Sequence, residues 1–126
     1  MTPEEVEQYI KELGYIDVKR NPENDSLAFL MQGRLCLVII VPNGKGMSVS
    51  TYYPKEEKTT LEVLNDWNRG LRYSFAYVYT TKEDKDFVLL ETNLTVTGGV
   101  TKERIKTFFM HHSLYQSRFD QFLSQL

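Results

Sequence analysis

The chain has 126 residues, a formal net charge of −2, 41% hydrophobic residues and 25% charged residues. These values are typical of a single folded domain (1–126) whose core is large enough to be stable without disulfides or metals. The sequence contains neither a clustered basic patch nor an apolar run of about 18 residues, so we expect no nucleic acid and no membrane among its partners.

The first half of the chain predicts one short helix followed by strands. Thr2 before Pro3 is typical of a helix start. The first residues of the chain are acidic, unlike those of a secretory signal, so we expect a cytoplasmic protein. Gly14 is typical of a left-handed helix end. Four strand-like segments follow, of which the first is weak: 15–19, 27–31, 34–41 and 47–53.

The segment 35–41 is apolar at every position, which predicts a central strand covered on both faces. Gln32 and Gly33 before it suit a tight hairpin turn. The segment 42–46 after it, Pro-Asn-Gly-Lys-Gly, predicts another turn. It lacks the full pattern of a phosphate loop, and a strand rather than a helix is expected to follow it. Cys36, the one cysteine, is expected to be a buried hydrophobe rather than a nucleophile.

The second half predicts a helix, a hairpin and a long final helix. The first of these helices begins at Thr59 or Thr60, with Glu62 placed to form a capping box on Thr59, and ends at Gly70. The segments 72–80 and 87–96, joined by a polar loop, then predict two antiparallel strands. Thr101 is expected to cap a final helix that reaches about Gln125 and whose last turns extend past their own domain. The apolar stripe of this helix is Ile105, Phe108, His112, Tyr115, Phe119, Phe122 and Leu126.

No catalytic, metal-binding or cofactor-binding pattern emerges from the sequence. His111 and His112 are adjacent on a helix, where side chains diverge by about 100°, so they are poorly placed to bind one metal ion. His112 is expected to pack in the core with one nitrogen hydrogen-bonded. We therefore predict a protein that is not an enzyme, with no cofactor and no metal.

The strand 72–80 carries four aromatic residues on one side, and two interpretations remain open. The favoured one places this aromatic face in the core, against the helices and Trp67. The other leaves it partly open for a partner helix or an extended peptide. Asn68 is expected to bind backbone groups near the start of this strand. The four aromatic residues are Tyr73, Phe75, Tyr77 and Tyr79.

Four motifs carry a resemblance to a known family: 64–68, 72–77, 90–94 and 98–101. Through them the chain resembles the YbjN-like family of bacterial proteins, described as sensory transduction regulators. The resemblance implies an α+β fold like that of type III secretion chaperones. In that fold an antiparallel sheet has helices packed on one face, and the expected element order is α-β-β-β-(β)-α-β-β-α. Such chaperones often pair as dimers and hold a segment of another protein.

Two functions follow as expectations. The first is a non-enzymatic protein-binding module, chaperone-like or regulatory, that forms a homodimer. The alternative is a small-ligand sensor with a pocket between the aromatic sheet face and the helices. The candidate partner or ligand surface is Trp67, Tyr73, Phe75, Tyr77, Tyr79, His112, Tyr115 and Phe119, and the structural motif residues are Asn68, Gly98, Gly99 and Thr101.

Overall fold

The computed structural model describes residues 1–41, 45–70, 73–95 and 100–126. The predicted order of elements is confirmed, but the weak first strand predicted at 15–19 is a two-residue strand that begins only at Lys19. The helices are α1 (Pro3–Glu12), α2 (Leu61–Arg69) and α3 (Lys102–Ser124). The strands are β1 (Lys19–Arg20), β2 (Leu27–Met31), β3 (Arg34–Ile40), β4 (Gly46–Pro54), β5 (Ser74–Thr80) and β6 (Asp86–Thr95).

The strands form one six-stranded antiparallel sheet in the order β1-β2-β3-β4-β6-β5. The predicted β2–β3 hairpin is confirmed: Gln32 and Gly33 both have positive φ, as a two-residue turn between twisted strands requires. β4 and β6 pair along their whole length, from Gly46 with Thr95 to Pro54 with Phe87. The predicted turn at 42–46 falls mostly on residues 42–44, which lie outside the described residues.

Threonine side chains cap the starts of all three helices. Thr2 accepts a hydrogen bond from the backbone N–H of Glu5, and Thr101 does the same for Arg104. In α2 the cap is Thr60, which accepts from the N–H of Val63. The predicted capping box on Thr59 is therefore wrong, because its hydroxyl instead donates to the carbonyl of Glu56 in the preceding turn.

The helices pack on one face of the sheet, as predicted, and bury two neighbouring apolar clusters. In the first cluster, α1 and the first half of α3 cover β2, β3 and β4 through residues such as Val6, Ile10 and Phe109. In the second, α2 and the second half of α3 cover β4, β5 and β6 through Trp67 and Phe119. A helix of 23 residues spans about 35 Å, and both clusters together occupy that length.

The expectation that the last turns of α3 extend past the domain is wrong. The Trp67 ring centroid lies 4.8 Å from that of Phe119 and 5.4 Å from that of Phe122. α2 thus extends the core under the end of α3, and only the terminal Leu126 of the predicted stripe is exposed.

The opposite face of the sheet has no described element packed over it. The prediction that β3 is covered on both faces is therefore wrong: Leu35 is 48% exposed and Ile39 is 50% exposed, whereas Cys36 and Val38 are fully buried. Side chains alternate between the two faces of a strand, and all three helices lie on one of them. An entirely apolar strand consequently presents half of its side chains to solvent.

Candidate functional site

The sheet separates the aromatic residues of β5 from the core aromatic residues Trp67 and Phe119, with which the sequence analysis groups them. Phe75 and Tyr79 are exposed and Tyr77 is half-buried on the face away from the helices. Ala76 and Val78, the residues between them, pack in the core beside Trp67. The favoured prediction that the aromatic residues face the helices is therefore wrong, and so is a ligand pocket between that face and the helices.

We call the side of the sheet that faces away from the helices the open face. Strand pairing defines its members, because residues directly opposite each other on neighbouring strands share a face. Its exposed apolar side chains include Leu30 at 61% and Phe75 at 38%. The members from β2 to β6 include Ala28, Leu30, Leu35, Leu37, Ile39, Ser48, Ser50, Tyr52, Phe75, Tyr77, Tyr79, Phe87, Leu89, Glu91 and Asn93.

The half of the open face formed by β4, β6 and β5 is aromatic and has one carboxylate at its centre. The Phe75 and Tyr77 rings are stacked with centroids 5.7 Å apart. The Tyr77 hydroxyl donates a 2.8 Å hydrogen bond to Oε1 of Glu91, and Ser50 Oγ donates to the same oxygen at 3.3 Å. Burial, together with the carboxylate of Glu91, raises the pKa of Tyr77 well above its usual range, so the hydroxyl remains a donor. Within the described parts of β2–β6, Glu91 is the one charged side chain on this face.

His112 lies on the other side of the sheet and is fully buried. Its Nε2 is 2.7 Å from Thr51 Oγ1 on β4, and its Nδ1 is 2.7 Å from Thr92 Oγ1 on β6. Burial lowers the pKa of His112 to about 4, so the ring is neutral near pH 7. It uses both nitrogens, rather than the one expected from sequence, to join α3 to two strands.

The remaining buried candidates also belong to the core. Phe119 is fully buried and Trp67 is 8% exposed, and their rings pack against each other. Cys36 is buried, as predicted, and burial raises the pKa of its thiol to about 11. In the described ranges no group of three or more His, Cys, Asp or Glu side chains is arranged to hold a metal ion.

Tyr73 and Tyr115 lie beside a shallow groove of about 590 Å³ between the end of β6 and the outer side of α3. Tyr73 is 68% exposed and Tyr115 is half-buried. Arg104 and His111 line the same groove. Two of the predicted structural residues, Gly98 and Gly99, lie outside the described residues.

Asn68 closes the outer edge of the sheet. Its side-chain Nδ2 donates to the carbonyl of Ala76 at 2.9 Å, and its Oδ1 accepts from the N–H of Ala76 at 2.7 Å. The amide thereby replaces the neighbouring strand that β5, as the last strand of the sheet, lacks. Backbone bonding by Asn68 was expected from the sequence, but its partner on the edge strand was not.

Two parts of the open face are absent from the site that the sequence predicts: its aliphatic side chains and Glu91. Leu35 and Ile39 carried no signal, because a strand that is apolar at every position does not indicate which side is covered. The sequence does contain a signal for Glu91, because it is the single charged residue between the apolar residues Phe87 and Leu94. A lone charge in such a strand indicates that its side faces solvent or a polar partner.

A family model described as "YbjN: Putative bacterial sensory transduction regulator" matches residues 2–124. The chain belongs to the YbjN family. The match covers nearly the whole chain and confirms the resemblance found in the four motifs. No curated protein matches the sequence.

Two solved structures are similar to this YbjN-family chain. The crystal structure of YbjN from E. coli, described as a putative transcription regulator, has a TM-score of 0.66 and 16% identity over 90% of this chain and 83% of that chain. The Yersinia pestis type III secretion chaperone SycH, in complex with a stable fragment of YscM2, has a TM-score of 0.56 and 13% identity over 97% of each chain. At these identities the similarity establishes the fold, and the chaperone-like α+β fold is confirmed.

Among the helices of the described residues, none combines the length and apolar character needed to span a bilayer.

Proposed function

We propose that this YbjN-family chain is a non-enzymatic protein-binding module, chaperone-like or regulatory, that holds a segment of another protein on its open face. The observation that carries the proposal is the exposure of apolar side chains on one face of the sheet, in one group on β2 and β3 and another on β5. Tyr52 and Leu89, which pair on the two strands between these groups, connect them. Leu30, Leu35, Ile39, Phe75 and Tyr79 are each between 38% and 61% exposed. Folded proteins rarely leave large contiguous apolar patches in water unless the patch binds something.

The covered side of the sheet supports a binding role over a catalytic one. Its ionisable groups are engaged in structure: His112 is neutral and bound to two threonines, and the pKa of the Cys36 thiol is about 11. An active site usually brings together titratable groups with free functional atoms in a cleft. The open face instead offers area and ring surfaces, which suit a peptide chain.

A partner segment is better matched to the face of the sheet than to its β5 edge. Asn68 already occupies the backbone groups of Ala76, and α2 packs beside β5. A peptide that added a further strand at this position would have to displace them. The similar chaperone SycH is known in complex with a fragment of another protein, which supports the same kind of occupant here.

Three further parts of the proposal come from the sequence. We propose that residues 1–126 act as a single domain, that the chain forms a homodimer, and that it works in the bacterial cytoplasm. The family description as a bacterial sensory transduction regulator supports the last of these. Native mass spectrometry of the purified chain tests the homodimer: a mass of two chains supports it, and a mass of one chain across a concentration series contradicts it.

The binding proposal is tested with an array of apolar synthetic peptides and three forms of the protein. The peptides have about 12 residues, because an extended chain rises about 3.3 Å per residue and must cross several strands about 4.8 Å apart. The open-face variant carries Leu35→Ser and Ile39→Ser. The matched control carries Leu61→Ser, which changes a leucine that is 70% exposed on α2, away from the open face.

We expect the unmodified protein and the Leu61→Ser control to bind the same peptides, and the open-face variant to lose most of that binding. Circular dichroism and thermal melting of all three forms verify folding. The proposal is wrong if the folded open-face variant binds the peptides as well as the control does.

A further inference from the structure

We infer that the segment held on the open face is apolar with one Lys or Arg, whose cationic group binds Glu91. This inference rests on the proposed function and adds the chemistry of the partner. Glu91 lies at the middle of β6, paired with Phe75 on one side and Ser50 on the other. A side chain arriving from solvent above the sheet meets this carboxylate among aromatic rings.

The hydrogen bonds of Glu91 leave one of its oxygens available. Tyr77 and Ser50 both donate to Oε1, at 2.8 and 3.3 Å. Among the described residues, Oε2 has no hydrogen-bond partner and Glu91 has no ion pair with a lysine or arginine. Since Glu91 is only half-buried, that oxygen is accessible to water in the free protein.

A partner that covers this face removes that water. Desolvating a carboxylate is unfavourable unless a donor, and best a cation, replaces the lost hydration. An apolar side chain above Glu91 would leave its charge unpaired, and an acidic one would add repulsion. A lysine or arginine supplies both charge and donors, and a charge-assisted hydrogen bond is roughly twice as strong as a neutral one.

The rings next to Glu91 suit the same kind of side chain. Phe75 and Tyr77 are stacked beside the carboxylate, with Tyr77 anchored to it through its hydroxyl. Lysine and arginine bury their aliphatic stems on apolar surface while their charged ends reach a polar group. Aromatic rings additionally attract a cation. The ring surfaces and the carboxylate together therefore select a basic residue.

The charge also argues for another protein rather than a second copy of this chain. Two copies that pair by two-fold symmetry through the aromatic half of the open face bring the same surface patch together. Each copy would present Glu91, whereas Lys19, which pairs with Ala28 on the open face, lies four strands away on β1 and outside the aromatic half. Like charges brought together at an interface disfavour that pairing.

The test uses the apolar peptides that bind in the array described above, each made in three forms with Lys, Gln or Glu at the central position. Binding is measured for the unmodified protein, for Glu91→Gln and for Glu83→Gln. Glu91→Gln keeps the size of the side chain and an oxygen that accepts from Tyr77. Glu83→Gln is the matched control, because it removes one carboxylate from an exposed position in the loop between β5 and β6.

We expect the unmodified protein to bind the Lys form at least about 10-fold more tightly than the Gln form, and the Glu form least, because a hydrogen bond to a charged group is worth about this factor or more. Glu91→Gln should reduce the preference for Lys over Gln to about 2-fold or less, and Glu83→Gln should leave it unchanged.

The outcomes separate this inference from the proposed function. If binding depends on Leu35 and Ile39 but shows no preference for Lys, the inference is wrong and the binding proposal stands. A Lys preference that persists in folded Glu91→Gln also overturns the inference, since the attraction then comes from the overall charge. If no apolar peptide binds through the open face, both are wrong.

Discussion

Oγ1 of Thr51 lies 2.7 Å from Nε2 of His112, and the other hydrogen bond of Thr51 determines which nitrogen of the buried imidazole carries the proton. The Thr51 hydroxyl has one hydrogen, which it donates to Oε1 of Gln116 at 2.8 Å. Gln116 Nε2 in turn donates to the carbonyl of Met31, which orients the amide. The His112 Nε2–H must therefore donate to Thr51, and Nδ1 must accept from Thr92. This network joins α3 to β2, β4 and β6.

Acidification should destabilise the protein through His112. The pKa of His112 is about 4 in the folded state, whereas an ordinary histidine has a pKa of about 6.5, so the unfolded state binds more protons between these two pH values. This contribution to stability is complete above about pH 6.5 and falls as pH decreases toward 4. At pH 5 we expect the free energy of unfolding to be about 2 kcal/mol lower than at pH 7, because each pH unit below the unfolded-state pKa costs roughly 1.4 kcal/mol.

Urea unfolding at pH 7, 6 and 5 measures this loss. The same series on His112→Gln, which cannot titrate in this range, should show a smaller slope between stability and pH. His111→Gln, at the exposed neighbouring position, is the control and should retain the full slope. Equal slopes for the unmodified protein and His112→Gln would contradict the prediction.

Thr92→Val should destabilise the fold without changing its shape. Valine has nearly the same size but no hydroxyl, so Nδ1 of His112 loses its donor at a fully buried position. An unsatisfied buried acceptor costs about 1–3 kcal/mol. Chemical unfolding measures the difference. Thr95→Val, at an exposed position of the same strand, should change stability by less than about 0.5 kcal/mol.

Asn68→Ala should weaken the β5 edge. The substitution removes both side-chain hydrogen bonds to Ala76 and leaves its backbone N–H and C=O without these partners. We expect a loss of about 1–3 kcal/mol and more self-association, because a free strand edge pairs with other chains. Unfolding and light scattering test this against Asn65→Ala, an exposed position of the same helix. Identical behaviour of the two variants would show that the amide is not needed at the edge.

Cys36 should react with iodoacetamide only when the protein unfolds. Its thiol is fully buried, and its pKa of about 11 keeps it protonated near pH 7, whereas the thiolate is the reactive form. Mass spectrometry of the labelled chain, with and without denaturing urea, measures the rate. Labelling of the native protein at the rate of the urea-unfolded chain would contradict the burial of this residue.

Phe119→Ala should be far more destabilising than Phe75→Ala. Phe119 is fully buried, and its ring centroid lies 5.0 Å from that of Tyr53 and 4.8 Å from that of Trp67. Its truncation should cost about 3–5 kcal/mol, whereas Phe75 is partly exposed on the open face and should cost less than about 1.5 kcal/mol. Thermal and urea unfolding compare the two variants. Similar losses would mean that the two faces of the sheet are equally covered.

The candidate site was only partly predictable from the sequence. The aromatic residues of β5 were identified, and an open face was one of two interpretations, but Trp67, His112 and Phe119 were grouped with them. Glu91 and the exposed leucines were not identified. The sequence pattern indicates which residues share one side of a single strand. Which of these residues form one site depends on how the strands pair and where the helices lie.

The sequence by itself determined the order of the elements, most of their ends and the family. These features depend on neighbours in the chain: Thr2 and Thr101 cap helices, and Gln32-Gly33 forms a two-residue turn. Only the tertiary structure decided which side of each strand is covered. Trp67 and Phe119 fill the space beneath the helices, so the smaller Ala76 packs there and the aromatic side chains of β5 face solvent. Hydrophobicity along β5 alone favours the opposite arrangement, but the close-packed layer beside Ala76 already holds the rings of Tyr53, Trp67 and Phe119.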